Sequence, residues 1–111
     1  MDCIFCKIVR KEIPAEIVFE DNKVLAFKDI NPQAPHHILF IPKEHVTSVA
    51  DLENIIVISD LFAAMKQVAQ TIGIDKSGYR IVVNHGKEAG QAVPHLHFHL
   101  LGGRPLKWPP G

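Results

Sequence analysis

His95-Leu96-His97-Phe98-His99-Leu100-Leu101 alternates imidazoles with apolar side chains up to Leu100. A period of two is a strand signal, because successive side chains on a strand point to opposite faces. The pattern predicts that His95, His97 and His99 share one face, while Leu96, Phe98 and Leu100 bury on the other. Same-face neighbours lie roughly 6.5–7 Å apart along a strand. One H-x-H pair is usually incidental. A third histidine in phase, beside Gly102 and Gly103, makes a row of groups able to ligate metal, move protons or act as a nucleophile.

Outward from that row, residues 84–92 (NHGKEAGQA) form a glycine-containing loop, and Tyr79 to Val83 reads as a strand. Ile58, Leu61, Phe62, Met65, Val68, Ala69 and Ile72 follow helical spacing and predict a long helix over residues 54–72. Gly73 is its stop signal. Residues 37–41 are an apolar run closed by Pro42, which predicts a well-buried strand. Residues 17–20 and 24–28, joined by Asp21-Asn22, predict a hairpin. Residues 3–10 predict a short helix, broken before Pro14. The sum is an α+β fold: a five-stranded antiparallel sheet, one long helix and a short N-terminal helix. His36 and His85 are expected to be solvated in loops. The ending Trp108-Pro109-Pro110-Gly111 suits neither helix nor central strand, and its tryptophan needs a surface to pack on, such as a neighbouring subunit.

A chain of 111 residues suits one domain spanning 1–111, and a formal net charge of zero argues against nucleic acid as a partner. Asp2 and Lys7 interrupt any signal-peptide pattern, and no stretch has the apolar length of a membrane span. The expectation is a soluble cytoplasmic protein without a membrane partner and without an organic cofactor. Cys3 and Cys6 form a C-x-x-C with only two residues before it, so the strand that precedes a redox-active pair is missing. The pair reads better as half of a structural zinc site, completed by histidines from elsewhere.

Phosphoryl transfer to histidine needs a nitrogen lone pair facing phosphorus, donors for the nonbridging oxygens and a proton for the leaving group. His97 and His99 can serve as nucleophile and neighbour. The loop before them offers Asn84, Gly86, Gly90 and Gln91, and glycines let backbone amides approach a phosphate closely. Asp29, at a strand end, could accept two hydrogen bonds from a ribose.

The chain resembles the histidine triad (HIT) superfamily, whose signature His-φ-His-φ-His-φ-φ fits residues 95–101 throughout. The resemblance spans nearly the whole chain and looks nearest to the HINT branch, the histidine triad nucleotide-binding proteins. It is carried by Lys11 to Ala15, Asp29 to Pro35, Tyr79 to Asn84, Gly102-Gly103-Arg104 and the Trp-Pro-Pro-Gly ending. It implies a purine nucleoside phosphoramidase, which splits the P–N bond of adenosine phosphoramidates or aminoacyl adenylates and releases AMP. By position, His97 would be the nucleophile that forms a nucleotidyl-histidine, His99 would bind phosphate and join proton transfer, and His37 would support them. Asp29 and Ile30 would contact the ribose. Asn84, Gly90 and Gln91 would line the phosphate region, while Ile4, Phe5, Ile8, Ile13, Phe27 and Leu39 would wall the base pocket. The resemblance further implies a homodimer with a sheet continuous across the interface and a C-terminal tail near the partner's site.

Zinc is also implied, through Cys3, Cys6, His45 and His95, a Cys₂His₂ set that would close a structural site. One position departs from the family: the usual serine two residues after the loop glycine is Ala92 here, which predicts slower turnover or a changed leaving-group preference. Alternative readings are a diadenosine polyphosphate hydrolase, a nonenzymatic AMP sensor or scaffold, and a catalytic zinc hydrolase. In the last, three histidines on one strand would stand too far apart to share an ion.

Overall fold

A computed structural model describes residues 3–111. The elements run α1 (Ile4–Val9), β1 (Ile17–Glu20), β2 (Val24–Lys28), β3 (His36–Pro42), α2 (Ile56–Ile72), β4 (Tyr79–Val83) and β5 (Phe98–Gly102), with a 3₁₀ turn at Val49–Asp51. The five strands form one sheet in the order β1-β2-β3-β5-β4, and each neighbouring pair is antiparallel. This is the expected α+β architecture.

The sheet is the middle layer. Along β2 and β3 the alternation of side chains splits the core in two. Val24, Ala26, Ile38 and Phe40 bury towards α2 with Leu61, Met65 and Val68. Leu25, Phe27, Leu39 and Ile41 bury on the opposite face, under Phe5 and Ile8 of α1. Both strands are therefore covered on both sides, which explains why residues 37–41 carry no polar alternation. Each fully buried side chain such as Phe40 contributes about 2–3 kcal/mol of transfer free energy.

Local chemistry sets the element ends. Asp21 Oδ1 accepts the N–H groups of Lys23 and Val24, closing the β1–β2 turn. Asn54 Oδ1 accepts the Ile56 N–H, so residue 54 acts as a brace before α2 rather than as its first turn. Gly73 ends α2 in the left-handed region at φ 85°, where its N–H reaches the Ala69 and Gln70 carbonyls. Gly102, the last residue of β5, lies so close to the connection after α2 that a Cβ would stand 2.8 Å from Ile74 Cδ1.

Three details differ from the sequence reading. Phe62 fits the helical period of the buried stripe of α2 but is 44% exposed, and Ala64 is buried instead. His36 is the first residue of β3, not a loop residue. Paired strand begins at Phe98, three residues after His95. The side-chain alternation nevertheless starts at His95, because Leu96, Phe98 and Leu100 all enter the α2-side core.

Candidate active site and metal centre

The α1-side face of the sheet carries two histidine clusters that meet at residues 95–97. Which ring nitrogen of each imidazole is free follows from the partner of the other nitrogen.

His97 is buried, and its Nδ1 lies 2.7 Å from the His95 carbonyl oxygen. A carbonyl only accepts, so Nδ1 carries the proton and Nε2 keeps its lone pair. Phe5 stands edge-on to the ring at 5.2 Å and His99 at 5.1 Å, which holds its orientation. His37 shows the same logic from the other end. The Gln33 N–H donates to His37 Nδ1 at 3.0 Å, so the proton of His37 resides on Nε2. That Nε2–H faces His99 Nδ1 at 2.9 Å and Asp29 Oδ2 at 3.4 Å. His99 therefore accepts at Nδ1 and presents an Nε2–H donor.

Burial pushes His99 down to about 4, reinforced by His97 and His37 and opposed by Asp29. Burial also lowers His37, with Asp29 opposing. Around neutral pH His99 is thus an uncharged donor until an anion beside it stabilises its protonated form.

These groups border a cavity of about 340 Å³ with largely apolar walls. Ile4, Phe5, Ile8, Ile13, Phe27 and Leu39 line it, and so do Asp29, Ile30, His97 and His99. His37 stands behind His99. Asn84, Gly90 and Gln91 are not among the lining residues; Ala92 and Val93 represent that loop. The Gln91 side chain is turned inward: Oε1 accepts the Gly86 N–H, and Nε2 donates to the Thr47 and Val93 carbonyls. Its observed contacts brace the loop.

The second cluster joins α1, the segment after β3 and the start of the histidine row. His95 is fully buried and its Nε2–H donates to the Pro42 carbonyl at 2.9 Å, leaving Nδ1 free. That Nδ1 lies 3.3 Å from Cys3 Sγ, 3.6 Å from Cys6 Sγ and 3.2 Å from His45 Nδ1, while Cys6 Sγ lies 3.3 Å from His45 Nδ1. A tetrahedral zinc ion with ordinary bond lengths requires edges of roughly 3.3 Å between nitrogens and 3.5 Å between nitrogen and sulfur. The donor set fits that ion. Cys3 caps α1 and its Sγ accepts the Cys6 N–H at 3.4 Å, which holds the Cys3 sulfur at the start of the helix. Burial first and Cys3 second push the Cys6 thiol up, a tendency that a bound cation reverses. Burial likewise lowers His95.

Sequence reasoning missed one contact. His85 is exposed, yet its Nδ1 lies 2.8 Å from the buried Ser48 Oγ. A partner 37 positions away leaves no local trace.

Residues 10–106 match the family model described as HIT domain. An uncharacterised HIT-like protein of Synechocystis sp. is 53% identical over 112 residues, covering 99% of this chain and 97% of that protein. A 14 kDa zinc-binding protein of Zea mays is 52% identical over 112 residues, covering 97% of this chain and 87% of that one. The crystal structure of a HIT family hydrolase from Legionella pneumophila superposes with a TM-score of 0.96 at 47% identity, covering 99% of this chain and 100% of the other.

Proposed function

This chain belongs to the HIT domain family, and on that premise we propose that it is a purine nucleoside phosphoramidase, as in the HINT branch. The observation that carries the reading is the His97 Nδ1–H bond to the His95 carbonyl, which leaves Nε2 as a lone pair at the wall of an apolar cavity. The hydrolase name of the Legionella relative supports the reaction class.

The cavity takes a purine between Phe5, Phe27 and Leu39, with Asp29 and Ile30 at the ribose. The reaction has two steps. His97 Nε2 attacks phosphorus and the P–N bond breaks, so the ring becomes nucleotidylated and the amine departs with a proton. His99 binds a nonbridging oxygen through Nε2–H, and the phosphate charge together with Asp29 favours the protonated form that supplies the amine. Water then attacks phosphorus, its oxygen bonding to phosphorus as the P–Nε2 bond breaks and its proton returning to His99, which gives AMP and restores both histidines. His37 keeps His99 in the right tautomer.

Cys3, Cys6, His45 and His95 hold zinc in this reading, and the maize relative's name supports it. Bound there, zinc supplies a structural cross-link between α1, residue 45 and residue 95, since four protein ligands leave no open position. We further propose a homodimer that extends the sheet through β4. That strand is a sheet edge, and its own Tyr79 and Val83 expose apolar surface. No helix among the described residues is long and apolar enough to cross a membrane; a cytoplasmic location remains part of the proposal.

The test is AMP release from an adenosine phosphoramidate by wild type and His97→Ala, with diadenosine tetraphosphate in parallel. Release by wild type alone supports the proposal. Cleavage of the dinucleotide only moves the chain to the polyphosphate hydrolases, and AMP binding without turnover makes it a sensor.

A further inference from the structure

Residues 45–48, which follow β3, join the two clusters. The segment begins with His45, one of the four metal-type donors. Its next three residues each take a hydrogen bond from the stretch that leads to the nucleophile. Val46 O accepts the Leu96 N–H at 2.6 Å, Thr47 O accepts Gln91 Nε2 at 2.8 Å, and Ser48 Oγ lies 2.8 Å from His85 Nδ1. The direction of the last bond is fixed. Ser48 Oγ gives its only proton to Asp51 Oδ2 at 3.0 Å and accepts the Ala50 N–H, so His85 is the donor. Ser48 is 2% exposed.

The other side of this clamp is the active site. Between His85 and His97 lie the cavity-lining Ala92 and Val93 and the His95 carbonyl that orients the nucleophile. Of the four metal-type donors, His45 belongs to the clamping segment and His95 to the clamped one. An ion held between them fixes the distance between the two segments at bonded precision. Hydrogen bonds between the two Nδ1 atoms and the thiols hold the same place more loosely.

We infer that His85 and Ser48 are positioning residues that couple occupancy of the Cys3, Cys6, His45 and His95 site to nucleoside monophosphate binding beside His97. The inference rests on the proposed zinc and nucleotide readings. An ion orders residues 45–48, and the clamp transmits that order to the loop, so the nucleotide has less disorder to remove on binding. Such coupling is reciprocal: the ion tightens nucleotide binding by the factor by which nucleotide tightens ion binding.

The experiment is calorimetric titration of the full chain with AMP in zinc-loaded and zinc-stripped forms. Zinc affinity is measured in parallel, by competition with a chromophoric chelator, with and without AMP. The expected result is AMP binding about five- to tenfold tighter with zinc, and the same factor in zinc affinity. His85→Ala brings the factor to about one, whereas His85→Asn, whose amide can still donate to Ser48 Oγ, retains most of it. Circular dichroism melts establish that each variant folds, and Ser48→Ala removes the same bond from the other side. Equal AMP affinity in both zinc states overturns the coupling and leaves the nucleotide reading intact. A factor that survives His85→Ala, or a stripped chain that unfolds outright, assigns the effect to global stability and overturns the role of the clamp. No AMP binding in either state removes the nucleotide reading and the inference together. No zinc binding removes the metal reading and the inference.

Discussion

His95 and His97 are two residues apart and both are buried, yet they belong to different chemistries. His95 donates Nε2–H to Pro42 and turns Nδ1 towards two thiols and a third imidazole. His97 donates Nδ1–H to a carbonyl and turns Nε2 towards an apolar cavity. One bond to a backbone oxygen therefore selects which nitrogen works, and the surroundings decide what it meets. Soft sulfur donors converging at tetrahedral distances suit an ion. A lone pair at the wall of a cavity suits an electrophile.

The sharpest way to break this division is to remove one histidine from each side. His97→Ala should lower phosphoramidase turnover at least about a thousandfold, because the covalent step disappears with the nucleophile. Its zinc content should stay at that of wild type by elemental analysis. Loss of zinc in that variant would merge the two clusters into one site. On the other side, Cys3→Ser or chelation should lower the thermal midpoint by about 10–15 °C, measured by calorimetry. An ion present at one hundred to a thousand times its Kd stabilises by about 3–4 kcal/mol, at about 4 °C per kcal/mol for a domain of this size. The turnover number at saturating substrate should fall less than tenfold. A collapse of turnover to the His97→Ala level would mean that the metal side takes part in the chemistry.

The division was only partly visible in the sequence. Alternation at residues 95–101 gave the shared face, and that face holds because Leu96, Phe98 and Leu100 all find the core beneath α2. Tautomers were invisible, since they depend on Pro42, Gln33 and the His95 carbonyl, chosen by backbone geometry. The six apolar residues that the resemblance names do line one cavity. Gln91 was read as a phosphate contact from its loop, but its amide satisfies three backbone groups of its surroundings. Phe62 fitted the helical period. It lies at the edge of the stripe, 5.6 Å from Phe98 and still exposed, because periodicity does not say where the sheet ends.

A gain of function sharpens the catalytic side. Ala92 lines the same cavity as His97 and His99. Ala92→Ser adds a hydroxyl there. If it reaches the phosphate or the departing amine in the transition state, one charge-assisted hydrogen bond is worth about 1.5–3 kcal/mol, at least tenfold in rate. Steady-state kinetics across several amine leaving groups would detect it. No gain with any of them means that position 92 faces the base or sugar.

The finest distinction is in acid. Burial holds His99 at about 4, against an ordinary value of 6.5. Between those limits the unfolded chain binds a proton at residue 99 that the folded chain does not. Unfolding is then favoured as protons become available. The contribution of His99 is intact above pH 6.5 and is lost progressively as pH falls towards 4. Acid also strips zinc, because thiolates and imidazoles must be deprotonated to ligate it. That loss is common to wild type and a His99→Asn variant at the same zinc loading, so it cancels in their difference. Melts at matched ionic strength should show the wild-type midpoint falling more steeply than that of the variant between pH 6.5 and 4, by a few degrees over the interval. Identical slopes would mean that His99 already carries its proton in the folded chain. The catalytic side would then hold a standing cation beside Asp29, and its contrast with the metal side would rest on geometry alone.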